Sequence, residues 1–159
     1  MDIQSTFLKT PVKDVMTKPV ITIQSSAAFS EVEEKFSANK IRHLPVVDPA
    51  GKLFGLVTKR DLFRTLAPRK SPDGNLYYSP DTIAESGNAY YSKEALDKFE
   101  LTAVMVKEVF KLTGDAPLTD ALELIVKKKI GCVPIVDAKG SVTGIITRYD
   151  LLKLLADQL

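Results

Sequence analysis

The sequence has little of what disulfide scaffolds, metal centres and thiol enzymes require. Its 159 residues include one cysteine, Cys132, one histidine, His43, and no tryptophan. A single cysteine cannot form an internal disulfide, and a single Cys/His pair cannot build a zinc cage. One cysteine and one histidine also make a thiol–histidine nucleophile a poorly supported interpretation. These shortages exclude most hydrolytic chemistries, so we expect no catalytic residues, no metal and no cofactor.

Charge imbalance and long apolar runs are also missing. The 22 basic and 20 acidic residues give a net charge of +2, which lacks the basic excess that indicates non-specific nucleic-acid binding. The most apolar stretch, 133–146, is broken by a proline, two glycines and two charged residues, so it is unlike a membrane helix of about 20 residues. The first ten residues lack the apolar core of a signal peptide. We therefore expect no membrane insertion, no nucleic-acid partner and a cytoplasmic protein.

What the sequence does contain is an internal repeat. Residues 15–66 align with residues 104–155 at a constant offset and without a gap, and about a third of the aligned positions are identical. A unit of this size is marginally stable alone, because a small chain buries a low fraction of its surface. We therefore expect the two copies to share one interface. The identical pairs include Val15/Val104, Met16/Met105, Pro45/Pro134, Gly55/Gly144, Thr58/Thr147 and Asp61/Asp150.

Each copy has the pattern strand, helix, strand, strand, helix. In the first copy, apolar runs predict strands at 20–23, 44–47 and 53–57, and helical spacing predicts helices at 27–39 and 59–66. Ser25 or Ser26 is the expected N-cap of the first helix, and Asp115 is its counterpart in the second copy. Asp- and Gly-containing turns at 48–51 and 137–140 predict hairpins. The predicted fold class is α+β, with two βαββα units packed about a pseudo-twofold axis.

The repeat divides the chain into three parts. Residues 1–66 hold a lead-in and the first repeat, 67–103 form a connector loop with a short helix near its end, and 104–159 hold the second repeat. Such a long connector is often functional. Four tyrosines in it are candidates to stack on a ligand, to fill a contact between subunits, or to anchor the loop to its own domain; they are Tyr77, Tyr78, Tyr90 and Tyr91.

The sharpest local signal is the motif Gly-x-x-Thr-x-x-Asp at the end of a predicted strand. It places Thr58 and Asp61 in the first copy and Thr147 and Asp150 in the second. One interpretation is structural, because Thr followed by Asp three residues later forms a helix capping box. The other is functional, because a helix N-terminus suits a phosphate and a carboxylate there can accept hydrogen bonds from ribose hydroxyls. Basic neighbours add positive charge beside such an anion; they are Lys59, Arg60 and Arg148.

These residues together resemble the cystathionine-β-synthase (CBS) domain family, whose domains occur as tandem pairs. The resemblance covers nearly the whole chain outside the connector and the extreme N-terminus. It rests on Val15-Met16, on the Pro45 and Pro134 strands, on the turn glycines and on both Gly-x-x-Thr-x-x-Asp motifs, in order and in two copies. It implies a binding module for adenosine-containing ligands, in which the motif Asp holds the ribose and the motif Thr assists with ribose or phosphate.

The resemblance also implies two clefts, each completed by the partner repeat. The two copies differ just before the proline strand, where Arg42-His43 is replaced by Gly131-Cys132. Related modules use basic side chains here to hold phosphates, so Arg42 and His43 are expected to serve the cleft of Asp150. The Asp61 cleft would be completed by residues near Phe110, Lys111 and Val133, and the Asp150 cleft by residues near Ile21, Thr22 and Leu44.

Two functions follow from this interpretation. The first is a non-catalytic regulatory module that binds AMP, ADP, ATP or a related adenosine ligand and relays its occupancy to a separate protein, with a homodimer as the expected assembly. The second is a dimerisation or scaffold module whose clefts stay empty. The sequence does not distinguish among adenosine ligands, because all of them share the ribose and the adenine, and it does not identify the regulated partner.

Overall fold

Two copies of a three-stranded sheet, each flanked by helices, form the centre of the molecule. The computed structural model describes residues 2–67, 69–70, 72–77 and 92–158. The first half contains α1 (Ile3–Lys9), a 3-10 turn (Val12–Asp14), β1 (Ile23–Gln24), α2 (Phe29–Asn39), β2 (His43–Val47), β3 (Leu53–Thr58) and α3 (Lys59–Leu66). After the strands β4 (Arg69–Lys70) and β5 (Leu76–Tyr77), the second half contains α4 (Lys93–Leu96), α5 (Leu101–Val104), β6 (Leu112–Thr113), α6 (Leu118–Lys127), β7 (Cys132–Val136), β8 (Val142–Thr147) and α7 (Arg148–Ala156).

The sheets have the same topology and the same register. In the first, β1 runs parallel to β2 and β2 runs antiparallel to β3, and the second repeats this with β6, β7 and β8. Ile23 lies opposite Val46 in one sheet, and Leu112 lies opposite Ile135 in the other. The register of the antiparallel pair shifts at the same place in both sheets. The predicted fold, two α+β repeats of the order βαββα, is confirmed.

The hairpin turns of the two sheets meet at the pseudo-twofold axis. The backbone N–H of Leu53 donates to the carbonyl of Gly140 over 3.0 Å, and the N–H of Val142 donates to the carbonyl of Gly51 over 3.2 Å. Gly51 and Gly140 have φ angles of 80° and 84°, a left-handed conformation that glycine adopts without a Cβ penalty. The sheets are thereby joined by backbone as well as by side chains.

Each repeat's core is completed by the segment that precedes the other repeat. Helix α1 precedes the first repeat but packs on α6 of the second, and α4 precedes the second repeat but packs on α2 of the first. Accordingly Phe7 and Val12 belong to the core of the second repeat, and Leu96 and Leu101 belong to that of the first. We call residues 2–17 and 92–106 the exchanged lead-ins. They bury the apolar faces that a single repeat would expose.

The start of α2 differs from its prediction. Ser25 and Ser26 lie before the helix, and the N-cap position is Ala28, whose N–H donates to the Glu31 carboxylate. The N–H of Ser30 donates to Asp97 over 2.9 Å, so a carboxylate from an exchanged lead-in satisfies a free donor of this helix. A side chain brought from far along the sequence therefore replaces the local serine cap.

The N-terminus of α6 also differs from its prediction. The N-cap position is Pro117, and the carboxylate of Asp115 instead pairs with Lys13. Lys13 belongs to an exchanged lead-in, so Asp115 joins the two halves of the chain rather than capping its own helix. An exposed ion pair of this kind adds little to stability.

The connector contains a short antiparallel pairing of β4 with β5. The helix expected near its end is present as α4, in which the hydroxyl of Ser92 accepts from the N–H of Ala95. Tyr78, Tyr90 and Tyr91, together with the side chain of Tyr77, lie outside the described residues, so their three proposed roles stay predictions. The domain boundaries at 66/67 and 103/104 also stay predictions. Across the described ranges, no helix is long and apolar enough to cross a membrane.

Candidate functional site

The candidate site begins where β3 passes into α3. The N–H of Thr58 and its hydroxyl both donate to Oδ2 of Asp61, each over 2.8 Å, and the N–H of Asp61 donates back to the Thr58 hydroxyl over 3.3 Å. The structural interpretation of the motif is therefore confirmed, because these contacts form a capping box. They use only one of the two carboxylate oxygens of Asp61.

The second copy builds the same junction between β8 and α7. The N–H and the hydroxyl of Thr147 donate to Oδ2 of Asp150 over 2.7 and 2.8 Å. Here the other oxygen, Oδ1, accepts from the hydroxyl of Thr17 over 3.0 Å. Thr17 comes from the exchanged lead-in of the first repeat, so the outer oxygen of Asp150 reaches the opposite repeat.

Both carboxylates therefore combine two tasks. Oδ2 fixes the helix start, and Oδ1 remains available for a further donor, since an ionised carboxylate has about four acceptor positions. Thr58, Asp61, Thr147 and Asp150 are all half-buried. A hydrogen bond to such a partly shielded charged acceptor is stronger than one between neutral groups. Vicinal hydroxyl groups are suitable donors for this arrangement.

Of the basic candidates, Lys59 and Arg148 occupy equivalent first positions of α3 and α7. The N–H of Lys59 donates to the Arg42 carbonyl over 2.9 Å, and the N–H of Arg148 donates to the Gly131 carbonyl over 3.3 Å. The guanidinium of Arg148 donates to the Ile130 carbonyl over 3.2 and 3.1 Å, which holds this exposed cation beside β7. Arg42 and Arg60 are exposed, whereas Lys59 is half-buried.

His43 lies between the two junctions. Its Nε2 is 2.4 Å from the place where a Cβ on Gly131 would stand, so the imidazole covers the residue that replaces Arg42 in the second repeat. Burial lowers the pKa of His43, and the positive charges of Arg148 and Arg42 lower it further, while Asp61 raises it. His43 is thus within electrostatic range of both α7 and Asp61. Its assignment to the Asp150 cleft stays a prediction.

Two residues named near the clefts, Leu44 and Val133, have no exposed surface, because their side chains belong to the two cores. Which residues complete each cleft stays a prediction. Two residues that border the junctions were missed by sequence reasoning. Thr17 pairs with Ile145 and Val106 pairs with Leu56 in isolated bridges, which brings these lead-in residues beside the motif strands. They stand at equivalent positions of the repeat, and no local sequence signal identifies them, because the exchange of lead-ins brings them to the junctions.

Cys132, the counterpart of His43, is buried and free. Burial raises the pKa of its thiol to about 12, so the thiol stays protonated and is a poor nucleophile. Among the described residues, no group of three His, Cys, Asp or Glu side chains is arranged to hold a metal ion.

Comparison with known proteins gives a consistent family relationship. The family model described as CBS domain matches twice, over residues 12–68 and 101–157. The uncharacterized protein MJ1426 of Methanocaldococcus jannaschii is 30% identical over 152 residues, which cover 91% of this chain and 90% of that protein. Both matches extend across the two repeats.

A solved structure and an animal relative add information on ligands. The CBS domain pair of protein MJ0100, solved in complex with 5′-methylthioadenosine and S-adenosyl-L-methionine, is 27% identical with a TM-score of 0.72 and covers 94% of this chain and 98% of its own. The gamma-3 subunit of the 5′-AMP-activated protein kinase of Bos taurus is 28% identical over 149 residues, which cover 89% of this chain and 26% of that subunit.

Proposed function

The chain belongs to the CBS domain family, and from this premise we propose that it is a non-catalytic regulatory module that binds an adenosine-containing ligand beside Asp61 and Asp150. The observation that carries the proposal is the repeated carboxylate, which caps its helix with Oδ2 and leaves Oδ1 outside the cap, where Oδ1 of Asp150 accepts from Thr17. The similarity to a domain pair that holds two adenosine derivatives supports the choice of ligand class.

In this proposal the ribose hydroxyls donate to the outer oxygen of Asp61 or Asp150. A 5′ phosphate, where the ligand has one, lies toward the N-terminus of α3 or α7, where the positive end of the helix dipole and a basic first residue attract an anion. Thr58 and Thr147 orient the carboxylates through their hydroxyls. Lys59, Arg42, His43 and Arg148 supply charge for phosphorylated ligands, whereas 5′-methylthioadenosine, which has no charged group, needs only the carboxylate and apolar contacts.

Regulation follows from the position of the clefts between the repeats. Thr17 of one lead-in already bonds to Asp150 of the opposite repeat, so a ligand at that point contacts both halves. Such a ligand stabilises one relative arrangement of the repeats, and a partner protein that prefers this arrangement then senses the ligand. We place this activity in the cytoplasm, where the free thiol of Cys132 stays reduced.

The experiment is a calorimetric titration of the full chain with adenosine, AMP, ADP, ATP, 5′-methylthioadenosine and S-adenosylmethionine, alongside urea unfolding. A ligand at about 100 times its dissociation constant adds about 2.7 kcal/mol to the free energy of unfolding. The double variant Asp61→Asn/Asp150→Asn keeps an oxygen for each cap but lowers affinity about ten- to a hundredfold per site. The exposed Asp157→Asn is the control for the loss of a carboxylate charge away from the site. If none of the six compounds binds, the proposal is wrong.

The scaffold function has one observation in its favour. Large apolar side chains on α3 and α7 are exposed: Phe63 is 54% exposed, Leu152 is 63% and Tyr149 is 72%. Exposed apolar surface of this kind suits a contact between copies of the chain, which we propose as a homodimer. Light scattering of Phe63→Lys and Leu152→Lys tests it, and a dimer without any nucleotide response favours the scaffold.

A further inference from the structure

The two junctions have equivalent neighbours in the backbone. The N–H of Leu56 donates to the carbonyl of Val106 over 2.9 Å, and the N–H of Val106 donates to Leu56 over 2.8 Å. Thr17 and Ile145 exchange the same two bonds over 2.8 and 3.2 Å. Leu56 and Ile145 each precede the motif threonine by two residues. Val106 therefore has the same place relative to Asp61 that Thr17 has relative to Asp150.

The side chains at these equivalent places differ in chemistry. The hydroxyl of Thr17 donates to Oδ1 of Asp150 over 3.0 Å, and valine has no donor with which to do the same. Within the part of the chain that the structure describes, the protein donors to Asp61 go to Oδ2 and none goes to Oδ1. Asp61 thus keeps its outer oxygen for solvent or a ligand, whereas that of Asp150 already has a protein donor.

This difference changes what a diol gains on binding. At Asp61 a ribose hydroxyl replaces water on an oxygen that has no protein donor. At Asp150 the hydroxyl must share or displace the hydrogen bond from Thr17, so part of the gain is lost. Val106 also offers 44% of its surface, and Phe110, four residues further along the same segment, offers 43%. Ile21, the counterpart of Phe110 in the first repeat, instead packs against the core of that repeat.

We infer that the two clefts differ in affinity for an uncharged nucleoside, that the Asp61 cleft is the tighter one, and that Val106 and Thr17 set this order. The inference rests on the proposed function and adds the ligand class and the residues that discriminate. It concerns the ribose and the base alone. Arg42 and His43 act on phosphate, so a phosphate-free nucleoside reports the difference between Val106 and Thr17 without their charge.

The test is a calorimetric titration of the full chain with adenosine. We expect two classes of site in the native protein. Asp61→Asn should remove the tighter class by lowering its affinity at least tenfold, and Asp150→Asn should lower the affinity of the weaker class. The isosteric exchange Val106→Thr should weaken the tighter site several-fold, and Thr17→Val should strengthen the weaker one, so that the two sites become more alike. Asp157→Asn is again the control, and urea unfolding checks that each variant is folded.

The failures of the two proposals are distinguishable. If none of the six compounds binds the native chain, the proposed function and this inference both fall. If adenosine binds but Asp150→Asn removes the tighter site, or if neither exchange at positions 17 and 106 changes a dissociation constant by twofold, the function stands and this inference is wrong.

Discussion

Gly55 and Gly144 are required by methionines that come from the opposite lead-in. A Cβ at Gly144 would stand 2.3 Å from Sδ of Met16, and a Cβ at Gly55 would stand 2.5 Å from Sδ of Met105. Real Cβ contacts are never this short, so any side chain at either glycine displaces the thioether. Two identical pairs in the repeat, Met16/Met105 and Gly55/Gly144, therefore have one cause, because each methionine packs against the glycine of the opposite repeat.

The loss of stability caused by adding a Cβ at Gly55 and at Gly144 should differ between the repeats. At Gly55 a Cβ also meets the carbonyl oxygen of Val106 at 2.9 Å, and Met105 is 6% exposed, so neither neighbour can move freely. Met16 is half-buried and can swing aside. We expect Gly55→Ala to cost about 1–3 kcal/mol and Gly144→Ala to cost less. Urea unfolding measures both; Met105→Ala should partly rescue Gly55→Ala, and equal costs would contradict this explanation.

His43 should make stability depend on pH below neutrality. Its pKa is lowered in the folded protein, first by burial and then by the charges of Arg148 and Arg42. Between that lowered pKa and the ordinary value of about 6.5, the unfolded chain holds more protons than the folded one. The stabilising contribution is therefore complete above pH 6.5 and decreases as the pH falls. Urea midpoints at pH 7.5, 6.5 and 5.5 should show this decrease, and His43→Gln should show a smaller one.

At the scale of single elements, local sequence predicted most of the strands and helices. The strand predicted at 44–47 is observed as His43–Val47, and the helix predicted at 59–66 has the same bounds. Short β-branched runs, turn glycines and motif threonines are local signals, so they suffice there. The start of α2 was not predictable in this way, because its donors are satisfied by Glu31 and by the distant Asp97.

The ends of α2 and α6 contain a removable source of strain. Lys40 and Lys129 follow these helices with φ angles of 52° and 54°, a left-handed conformation in which a Cβ is unfavourable. Lys40→Gly and Lys129→Gly should each raise the free energy of unfolding by about 0.5–1 kcal/mol. This figure is the strain that glycine relieves minus the conformational entropy that glycine adds to the unfolded chain. Lys35→Gly, inside α2, is the control and should lower stability by a similar amount. Destabilisation by all three would contradict the role given to the left-handed residues.

At the scale of the whole molecule, the exchange of lead-ins could not be predicted from the sequence. Self-alignment marks the repeat and hydrophobic periodicity reports which residues are buried, but neither reports which copy buries them. The candidate site was likewise predictable only in its local part. The motif residues Thr58, Asp61, Thr147 and Asp150 were found from their spacing, whereas Thr17 and Val106 reach the junctions only through the exchange.

We expect the exchange to make the two repeats one cooperative unit. The core of the second repeat includes Phe7 and Val12, which are 6% and 0% exposed, and the core of the first includes Leu96 and Leu101, at 3% and 2%. Removing such residues exposes apolar surface and leaves cavities that cost several kcal/mol each. A single repeat that loses its partner's lead-in therefore loses a large part of a total stability of about 5–15 kcal/mol.

We expect fragments 1–67 and 92–159 to be unfolded separately and to recover the native helix signal when mixed, because each carries the lead-in that the other needs. Circular dichroism of each fragment and of the equimolar mixture measures this. Phe7→Asp in the first fragment should prevent recovery by placing a charge in the second core, whereas Leu8→Asp should not, since Leu8 is 55% exposed. Cooperative unfolding of either fragment alone would show that its repeat is stable without the exchanged lead-in.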